Sequence, residues 1–207
     1  LNYVSHQSSG NESILIAETL GYIDYTITDY NIQDAVNSWI SDPTETTNTY
    51  GPISGWDTSA VTNMNNLFKD KTLFNDDISQ WDVSNVTNMK YMFYHAEAFN
   101  QPIGNWDVSK VTSMYDMFHS AIAFNQPLAN WERTTGVNGA TSTSTLSNVS
   151  NMGNMFKNTP FNQPIGNWDI SKVGWLSNMF NQANFNQDIS GWDTSNVNDM
   201  EAMFRYN

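Results

Sequence analysis

Tryptophan returns along this chain at a nearly fixed interval, and this regularity restricts the fold more than any other feature. Successive members of the series are separated by 25, 25, 25, 37 and 24 residues. Each marks one copy of a longer motif, Ile-x-x-Trp-Asp-x-Ser-x-Val-x-x-Met-x-x-Met-Phe, followed by Ala and then Phe-Asn. A motif that stays in phase over five or six copies predicts a repeat protein whose short units stack on one another. The series comprises Trp56, Trp81, Trp106, Trp131, Trp168 and Trp192.

The pattern within one copy predicts three short elements. Residues 103–108 are predicted as a short strand, and residues 114–118 (Met-x-x-Met-Phe) have the apolar spacing of one or two helical turns. Residues 124–127 (Phe-Asn-Gln-Pro) are predicted as a turn, because proline lacks a backbone donor and favours extended geometry before it. These elements and the repeat length predict a repeat solenoid, leucine-rich-repeat-like, with short strands, short helical turns and an N-terminal helical cap.

The large apolar side chains that recur once per copy are the predicted core. A single 25-residue unit cannot enclose them, whereas stacked units cover each other's apolar faces. The methionine and phenylalanine columns have an alternative interpretation as a soft-metal or adaptable binding surface, but their strict periodicity favours the core. Besides the six tryptophans, the predicted core comprises Met89, Phe93, Met114, Phe118, Met155, Phe156, Met179 and Phe180.

Two regions depart from the array and define the predicted domain organisation. Residues 133–146 form a Gly/Ser/Thr/Asn-rich insertion, which predicts a polar loop leaving one edge of the stack. Residues 30–50 are predicted as a helical cap, and residues 1–29 as an extension containing a strand or linker. The repeats themselves are predicted over residues 51–207.

The helix of the cap is predicted from apolar residues spaced at i, i+3, i+4, i+7 and i+8 over residues 30–42. Asp29 stands near its start, where acidic and capping residues belong, and Asp42-Pro43 ends it. In the extension, Ile23, Tyr25 and Ile27 alternate as a strand would.

Charge and cysteine content exclude several classes of function. The chain has 21 acidic and 8 basic residues, a net charge of −13, and therefore lacks the clustered cations that bind nucleic acid or anionic membranes. The acidity favours solubility, a basic partner or divalent cations. Because cysteine is absent, neither disulfides nor thiolate chemistry contribute. No apolar run reaches the roughly 18 residues of a membrane span, and the start at Leu1 fits either a processed or a partial chain.

Two polar columns accompany the core. The asparagine that follows each Phe is predicted to satisfy backbone groups of neighbouring repeats as a structural ladder. The aspartate that follows five of the six tryptophans, with Ser two residues later, is predicted to bond nearby backbone N–H groups, with a calcium ladder as the alternative. The asparagine ladder comprises Asn75, Asn100, Asn125, Asn162 and Asn186, and the aspartates are Asp57, Asp82, Asp107, Asp169 and Asp193.

Motifs for catalysis or metal binding are sparse. Asp76 and Asp77 are the one adjacent pair that suggests a general acid and base, and we favour solvated carboxylates instead. His95 and His119 occupy nearly equivalent repeat positions, so a shared zinc is the alternative to neighbours without a role, while His6 stands apart. We therefore predict no enzyme and no cofactor, apart from the calcium alternative. Acceptor sequences for N-glycosylation begin at Asn11, Asn85 and Asn148.

The segment 81–93 (Trp-Asp-Val-Ser-Asn-Val-Thr-Asn-Met-Lys-Tyr-Met-Phe), together with 99–106 (Phe-Asn-Gln-Pro-Ile-Gly-Asn-Trp), resembles the BspA-like leucine-rich-repeat surface proteins. The resemblance extends over about residues 30–207, including the Tyr-Gly-Pro-Ile entry at 50–53, and the 133–146 insertion departs from the regular array. It implies an extracellular protein on a cell or virion surface that acts in adhesion, and it is specific for the repeat rather than for a ligand.

The exposed, non-core positions where successive copies differ are the predicted binding surface, because tyrosine and histidine suit interfaces. The partner would be a protein or a glycan, and the 133–146 loop is a second candidate surface. A runner-up function is structural assembly, in a virion or cell-surface layer, through the apolar last repeat at Phe204. A third is a calcium-stabilised surface domain of a larger protein that acts on polysaccharide. The predicted binding residues are Lys90, Tyr91, Tyr94, His95, Tyr115, Asp116 and His119.

Overall fold

The computed structural model describes residues 26–128, 131, 133–134, 143–144 and 146–207. Its regular elements within these residues are few and short. Two α-helices, α1 (Ile32–Ser41) and α2 (Pro43–Tyr50), are followed by a 3-10 turn (Ile53–Gly55). Two strands of two residues each, β1 (Arg133–Thr134) and β2 (Thr143–Ser144), pair antiparallel within the insertion.

Helix α1 lies where the apolar spacing predicted a helix, and it buries Ile32, Ala35 and Val36 against the first repeat. Asp42 separates α1 from α2. Sequence analysis did not predict α2 as a second helix. The Asp42 carboxylate accepts a hydrogen bond from the backbone N–H of Glu45 at 3.0 Å, and Pro43 occupies the first turn, where no backbone donor is needed. Asp29 does not cap α1; its carboxylate bonds the first repeat instead.

The predicted fold class, a leucine-rich-repeat-like solenoid with a strand and a helical turn in each unit, is wrong. In the described residues of the repeats, residues 103–108 form no strand and residues 114–118 form no helix. Neighbouring repeats are joined instead by isolated parallel bridges of one residue each, located just before the Met-x-x-Met-Phe segment. These bridges join Asn63 to Asn88, Asn88 to Ser113, Ser113 to Asn151, Asn151 to Trp175, and Trp175 to Asp199.

Consecutive turns replace the predicted helix. The N–H of Met92 bonds the carbonyl of Met89 at 3.3 Å, three residues back, rather than four residues back as in an α-helix. The intervening N–H of Tyr91 points to the next repeat and bonds the carbonyl of Tyr115 at 3.0 Å. Apolar residues at i, i+3 and i+4 therefore face one side here without a helix, because donors alternate between the preceding turn and the neighbouring repeat.

These turns place residues other than glycine in the left-handed region, two in each repeat and four residues apart. A positive φ is adopted most readily by Gly and, among other residues, by Asn. Several occupants here are neither, so the stack holds unfavourable backbone conformations by its cross-repeat hydrogen bonds. They are Asn66, Asp70, Tyr91, His95, Asp116, Ser120, Asn154, Asn158, Asn178, Gln182, Ala202 and Tyr206.

Aromatic columns run through the core along the stacking direction. All predicted core residues lie inside, the most exposed being Trp192 at 9%. Phe93 stacks on Phe118 with ring centroids 5.4 Å apart, and Trp56 stacks on Trp81 at 6.0 Å. Each repeat thus presents flat apolar faces to both neighbours, and the buried area of each unit depends on the units beside it.

Polar side chains connect the repeats outside the core. Each asparagine of the predicted ladder except the last, Asn186, accepts through its side-chain oxygen the backbone N–H of the ladder asparagine in the next repeat. The bonds run from Asn100 to Asn75 (2.8 Å), from Asn125 to Asn100 (3.1 Å), from Asn162 to Asn125 (2.9 Å) and from Asn186 to Asn162 (3.0 Å). The adjoining glutamine amides also donate to the preceding repeat, as Gln101 does to the Asn75 carbonyl at 2.7 Å.

The stack continues across the insertion. Ser150 donates its backbone N–H to the carbonyl of Thr112 at 2.9 Å, and Phe118 stacks on Phe156 at 5.7 Å. The predicted polar loop at 133–146 contains β1 and β2 and ends at the buried Leu146, and its remaining residues lie outside the described part of the chain. The same holds for residues 1–25, including Ile23 and Tyr25 of the predicted strand. Within the described ranges, no helix has the length and apolar character needed to cross a membrane.

Candidate recognition site

Five of the predicted binding residues lie together as a cluster of aromatic rings, which we call the tyrosine–histidine patch (Tyr91, Tyr94, His95, Tyr115 and His119). Tyr91 contacts Tyr94 and Tyr115 edge to face, with ring centroids 5.8 and 5.5 Å apart. Tyr94 stacks on His95 at 4.4 Å and meets His119 at 4.9 Å. All five side chains are half-buried, so the rings support one another and still reach the surface.

The repeat geometry brings these residues together. Tyr94 and His119 occupy the same position in successive repeats, and so do Lys90 and Tyr115. Tyr91 and His95 have positive φ values of 57° and 54°. Their N–H groups bond the carbonyls of Tyr115 and His119 at 3.0 and 2.8 Å, which fixes the two units side by side. The patch therefore forms because residues at neighbouring positions of two successive repeats lie side by side on one surface.

Lys69 completes the patch, and sequence analysis did not select it. Its ammonium lies 5.5 Å from the ring centre of Tyr91 and 5.2 Å from that of Tyr94, within cation–π distance of both. Lys69 stands 25 residues before Tyr94 and therefore begins the column that Tyr94 and His119 continue. Comparison of equivalent positions one repeat upstream would have found it.

Asp116 was predicted to be exposed, and that part of the prediction is wrong, because the residue is only 4% exposed. Its carboxylate lies 2.5 Å from Nδ1 of His119 and accepts a hydrogen bond from the Asn154 side-chain amide at 3.3 Å. The same amide donates to the Tyr115 hydroxyl at 3.1 Å. Asp116 and Asn154, the second missed by sequence analysis, thus orient His119 and Tyr115 from beneath.

The tyrosines of the patch hold their protons more firmly than free tyrosine does. Burial raises the pKa of Tyr91, and the negative charge of Asp116 and the neighbouring Tyr94 raise it further. Burial and Asp116 likewise raise the pKa of Tyr115, against a smaller lowering by the Asn154 amide. The hydroxyls therefore act as neutral hydrogen-bonding groups beside a fixed carboxylate.

Gly153 makes room for the Tyr115 ring. A Cβ atom added at Gly153 would lie 3.2 Å and 3.3 Å from two ring carbons of Tyr115, closer than ordinary contacts. This glycine occupies the Tyr115 position of the following repeat. Its small size allows Tyr115 to lie flat against the backbone, which is a reason for glycine that the sequence alone does not reveal.

Lys90, the remaining predicted binding residue, is exposed. Its backbone N–H bonds the Asn88 side-chain oxygen at 3.1 Å. No aromatic or ionic contact is described for its side chain, and the patch is built from the other residues.

The aspartates of the column each bond within their own repeat. The Asp82 carboxylate accepts the backbone N–H of Ser84 at 2.9 Å, and Asp57 and Asp193 bond Ser59 and Ser195 in the same way. Hydrogen bonds from these serines hold the pKa values of Asp57, Asp82 and Asp193 below the usual range. Among the described residues, no group of three or more carboxylate or histidine side chains is arranged to hold a metal ion.

The carboxylates of Asp76 and Asp77, the candidate acid and base, bond different structural partners. Asp76 accepts from the Trp39 indole N–H at 2.7 Å, tying the first repeat to α1. Asp77 accepts from the backbone N–H of Ser79 at 2.8 Å, and this bond lowers its pKa. His95 and His119 have ring centres 5.9 Å apart, and His6 lies outside the described residues.

Two of the three glycosylation acceptors can be located. The Asn85 side-chain amide donates to the Ser59 carbonyl at 2.8 Å, and that of Asn148 donates to the Ser109 carbonyl at 2.7 Å. Both amides thus connect neighbouring repeats. Asn11 lies outside the described residues.

Comparison with known families agrees with the repeat pattern. The model of the family described as "Mycoplasma protein of unknown function, DUF285" matches residues 38–143 and 133–207. The chain belongs to this family. The matches begin within α1 and extend over the repeats of this DUF285 protein, including those that carry the tyrosine–histidine patch. Neither the curated proteins nor the solved structures contain a significant match to it.

Proposed function

We propose that this DUF285 protein is a non-catalytic, extracellular surface protein of the BspA-like type, which recognises a protein or a glycan through the tyrosine–histidine patch. The observation that carries the proposal is the contact network of five half-buried rings from two neighbouring repeats. The sequence resemblance to BspA-like surface repeats supports the location on a cell or virion surface.

Such a patch suits recognition for energetic reasons. Tyrosine supplies a large contact area at low conformational cost, since it has two side-chain torsions, and here the neighbouring rings already restrict them. The hydroxyl of Tyr115 and the imidazole of His119 are held by Asn154 and Asp116, so they offer oriented hydrogen-bonding groups. A partner would therefore meet a rigid surface and lose little entropy from this side.

The test is a binding screen of the full chain against immobilised glycans and extracellular-matrix proteins. Tyr94→Ala removes the ring at the centre of the patch, and we expect it to weaken any specific binding by at least tenfold, as for an interface hot spot. Tyr30→Ala is the matched control, because Tyr30 is 88% exposed and lies outside the patch. Equal binding of both variants to the same ligand would exclude the patch as the recognition surface.

A second candidate function is self-assembly through the last repeat, and one observation favours it. No described residue accepts a hydrogen bond from the N–H groups of Met200, Ala202, Phe204 and Tyr206, although the equivalent groups of earlier repeats bond the following unit. Exposed apolar side chains border this row, with Phe204 at 44% and Met200 at 42%. Unpaired backbone donors beside apolar rings favour the docking of another chain.

Light scattering over a concentration series tests assembly. If the last repeat of one copy docks on another, the mass of the wild-type chain should rise with concentration, and Phe204→Asp should abolish the rise by placing a charge at the contact. Asn184→Asp, at an exposed position of the preceding repeat, adds the same single negative charge and is the control. A constant monomer mass would exclude this candidate.

A further inference from the structure

We infer that the tyrosine–histidine patch binds lysine side chains of a basic protein partner, at the place that Lys69 of the chain itself now occupies. The inference rests on the recognition role proposed above and names its partner class. Two observations carry it: the position of the Lys69 ammonium over two tyrosine rings, and the charge of the surrounding chain.

The first observation is a half-formed aromatic cage. The rings of Tyr91 and Tyr94 stand edge to face, and the Lys69 ammonium lies 5.2–5.5 Å from their centres. Tyr115 adds a third ring, in edge-to-face contact with Tyr91 at 5.5 Å. Ring faces attract cations through their quadrupole, and the buried carboxylate of Asp116 adds negative charge that both Tyr91 and Tyr115 experience.

Lys69 itself is an exposed residue on a long flexible side chain. No salt bridge involving Lys69 is described within residues 26–128 or the other described ranges. Its contact with the rings is therefore worth only about as much as an exposed cation–π pair, and a lysine from another protein can replace it. Lys69 acts as an internal occupant that lowers the affinity for an external one.

The second observation is charge complementarity. The chain carries 21 acidic and 8 basic residues, so its field attracts basic proteins and accelerates their association. An aromatic site that already accepts an ammonium group is suited to a lysine in such a partner. The rings supply local selectivity, and the net charge supplies long-range attraction.

The experiment is an NMR titration of the full chain with a blocked trilysine peptide at 150 mM NaCl, where charges beyond about 8 Å are screened. Its Nε-acetylated form serves as the neutral probe. Lys69→Ala is compared with Lys172→Ala, which removes the same charge at another exposed site. Tyr94→Leu removes a ring face and Tyr94→Phe retains it, and thermal melts of all four variants establish that they fold.

We expect trilysine to shift the amide signals of the patch and the acetylated peptide to leave them unchanged. Lys69→Ala should bind trilysine about 2–5-fold more tightly than Lys172→Ala, the ratio that corresponds to an exposed cation–π contact of about 0.5–1 kcal/mol. Tyr94→Leu should bind about 2–5-fold more weakly than wild type, and Tyr94→Phe should equal wild type.

Equal affinities of Lys69→Ala and Lys172→Ala, or an unchanged affinity of folded Tyr94→Leu, would overturn the inference and leave only attraction by net charge. Failure of the broader proposal gives a different result. If trilysine does not bind but Tyr94→Leu abolishes binding of a ligand found in the screen, recognition by the patch stands and the lysine preference falls. If Tyr94→Leu changes neither the binding of trilysine nor that of the ligand found in the screen, both the recognition role of the patch and its lysine preference are wrong.

Discussion

The two edges of the repeat stack are built from equivalent residues, yet they differ in what covers them. At the first repeat, Asp29 accepts hydrogen bonds from the N–H and hydroxyl of Thr62 at 2.8 and 2.6 Å and from the Asn63 N–H at 3.0 Å. In the next unit the same donors of Thr87 bond the Thr62 carbonyl at 2.8 and 3.2 Å. Asp29 thus replaces the carbonyl of a preceding repeat, and no such residue is described beside the last repeat.

The apolar residues show the same contrast. Phe68 and Phe204 occupy the same repeat position in the first and last units, yet Phe68 is fully buried and Phe204 is 44% exposed. Phe68 stacks on Phe74 at 4.1 Å and on Phe93 at 5.4 Å, whereas Phe204 stacks on Phe180 at 5.6 Å. The comparison teaches that a repeat position has no fixed energetic value, because its burial depends on the neighbouring unit.

The largest expected effect on the free energy of unfolding comes from substituting these two phenylalanines. Phe68→Ala removes a buried ring and leaves a cavity, so it should lower the free energy of unfolding by about 3–5 kcal/mol. Phe204→Ala removes a ring that is partly in solvent already and should cost about 1–1.5 kcal/mol. Urea denaturation of both variants, followed by tryptophan fluorescence, measures the difference. Equal losses would show that the last repeat is covered in solution and that the contrast between the edges is wrong.

The second prediction concerns the carboxylate that covers the first edge. Asp29→Ala leaves the donors of Thr62 and Asn63 without their acceptor and should lower the free energy of unfolding by about 1–2 kcal/mol at pH 7. Asp29→Asn keeps one oxygen acceptor, so its free energy of unfolding should fall by less. Asp34→Ala, an exposed change in α1, controls for the loss of one negative charge. If it lowered the free energy of unfolding as much as Asp29→Ala does, the capping role of Asp29 would be contradicted.

The same cap has a defined pH dependence. Burial alone would raise the pKa of Asp29, but hydrogen bonds from Thr62 and Asn63 outweigh it and hold the pKa below its ordinary value. A carboxyl with a lowered folded pKa stabilises fully above its unfolded pKa of about 3.9 and loses that stabilisation as pH falls through the folded value. The gap between wild type and Asp29→Ala should therefore be constant from pH 5 to 7 and narrow below about pH 4.

The core was predictable from sequence and the local backbone was not, for a physical reason. Periodic large side chains such as Trp81 and Phe93 must be buried whichever backbone carries them, so their spacing locates the core. The path between them depends on where each N–H finds an acceptor. Met89 and Tyr91 donate to carbonyls 24 residues away, and a local helical spacing contains no information about a partner at that distance.

The candidate site was predictable only in part. Tyr91, Tyr94 and His119 stood out because successive copies differ there, and the structure places them together. Lys69 was missed because a lysine at a variable position has no distinctive local signature until its equivalence with Tyr94 is considered. Asp116 was misplaced because a charged residue is usually exposed, whereas here His119 and Asn154 satisfy its carboxylate in the interior.

The smallest expected effect concerns the strained backbone at the open edge. Ala202 has a φ of 53°, which costs an L-residue about 1–2 kcal/mol, and Gly adopts it without that cost. Gly loses about 0.5–1 kcal/mol through backbone entropy, so Ala202→Gly should raise the free energy of unfolding by about 0.5–1 kcal/mol in urea denaturation. Ala183→Gly is the matched control, because Ala183 is buried without positive φ, and it should lower stability by a similar amount. If both variants lost stability equally, the left-handed turn at Ala202 would not exist in solution.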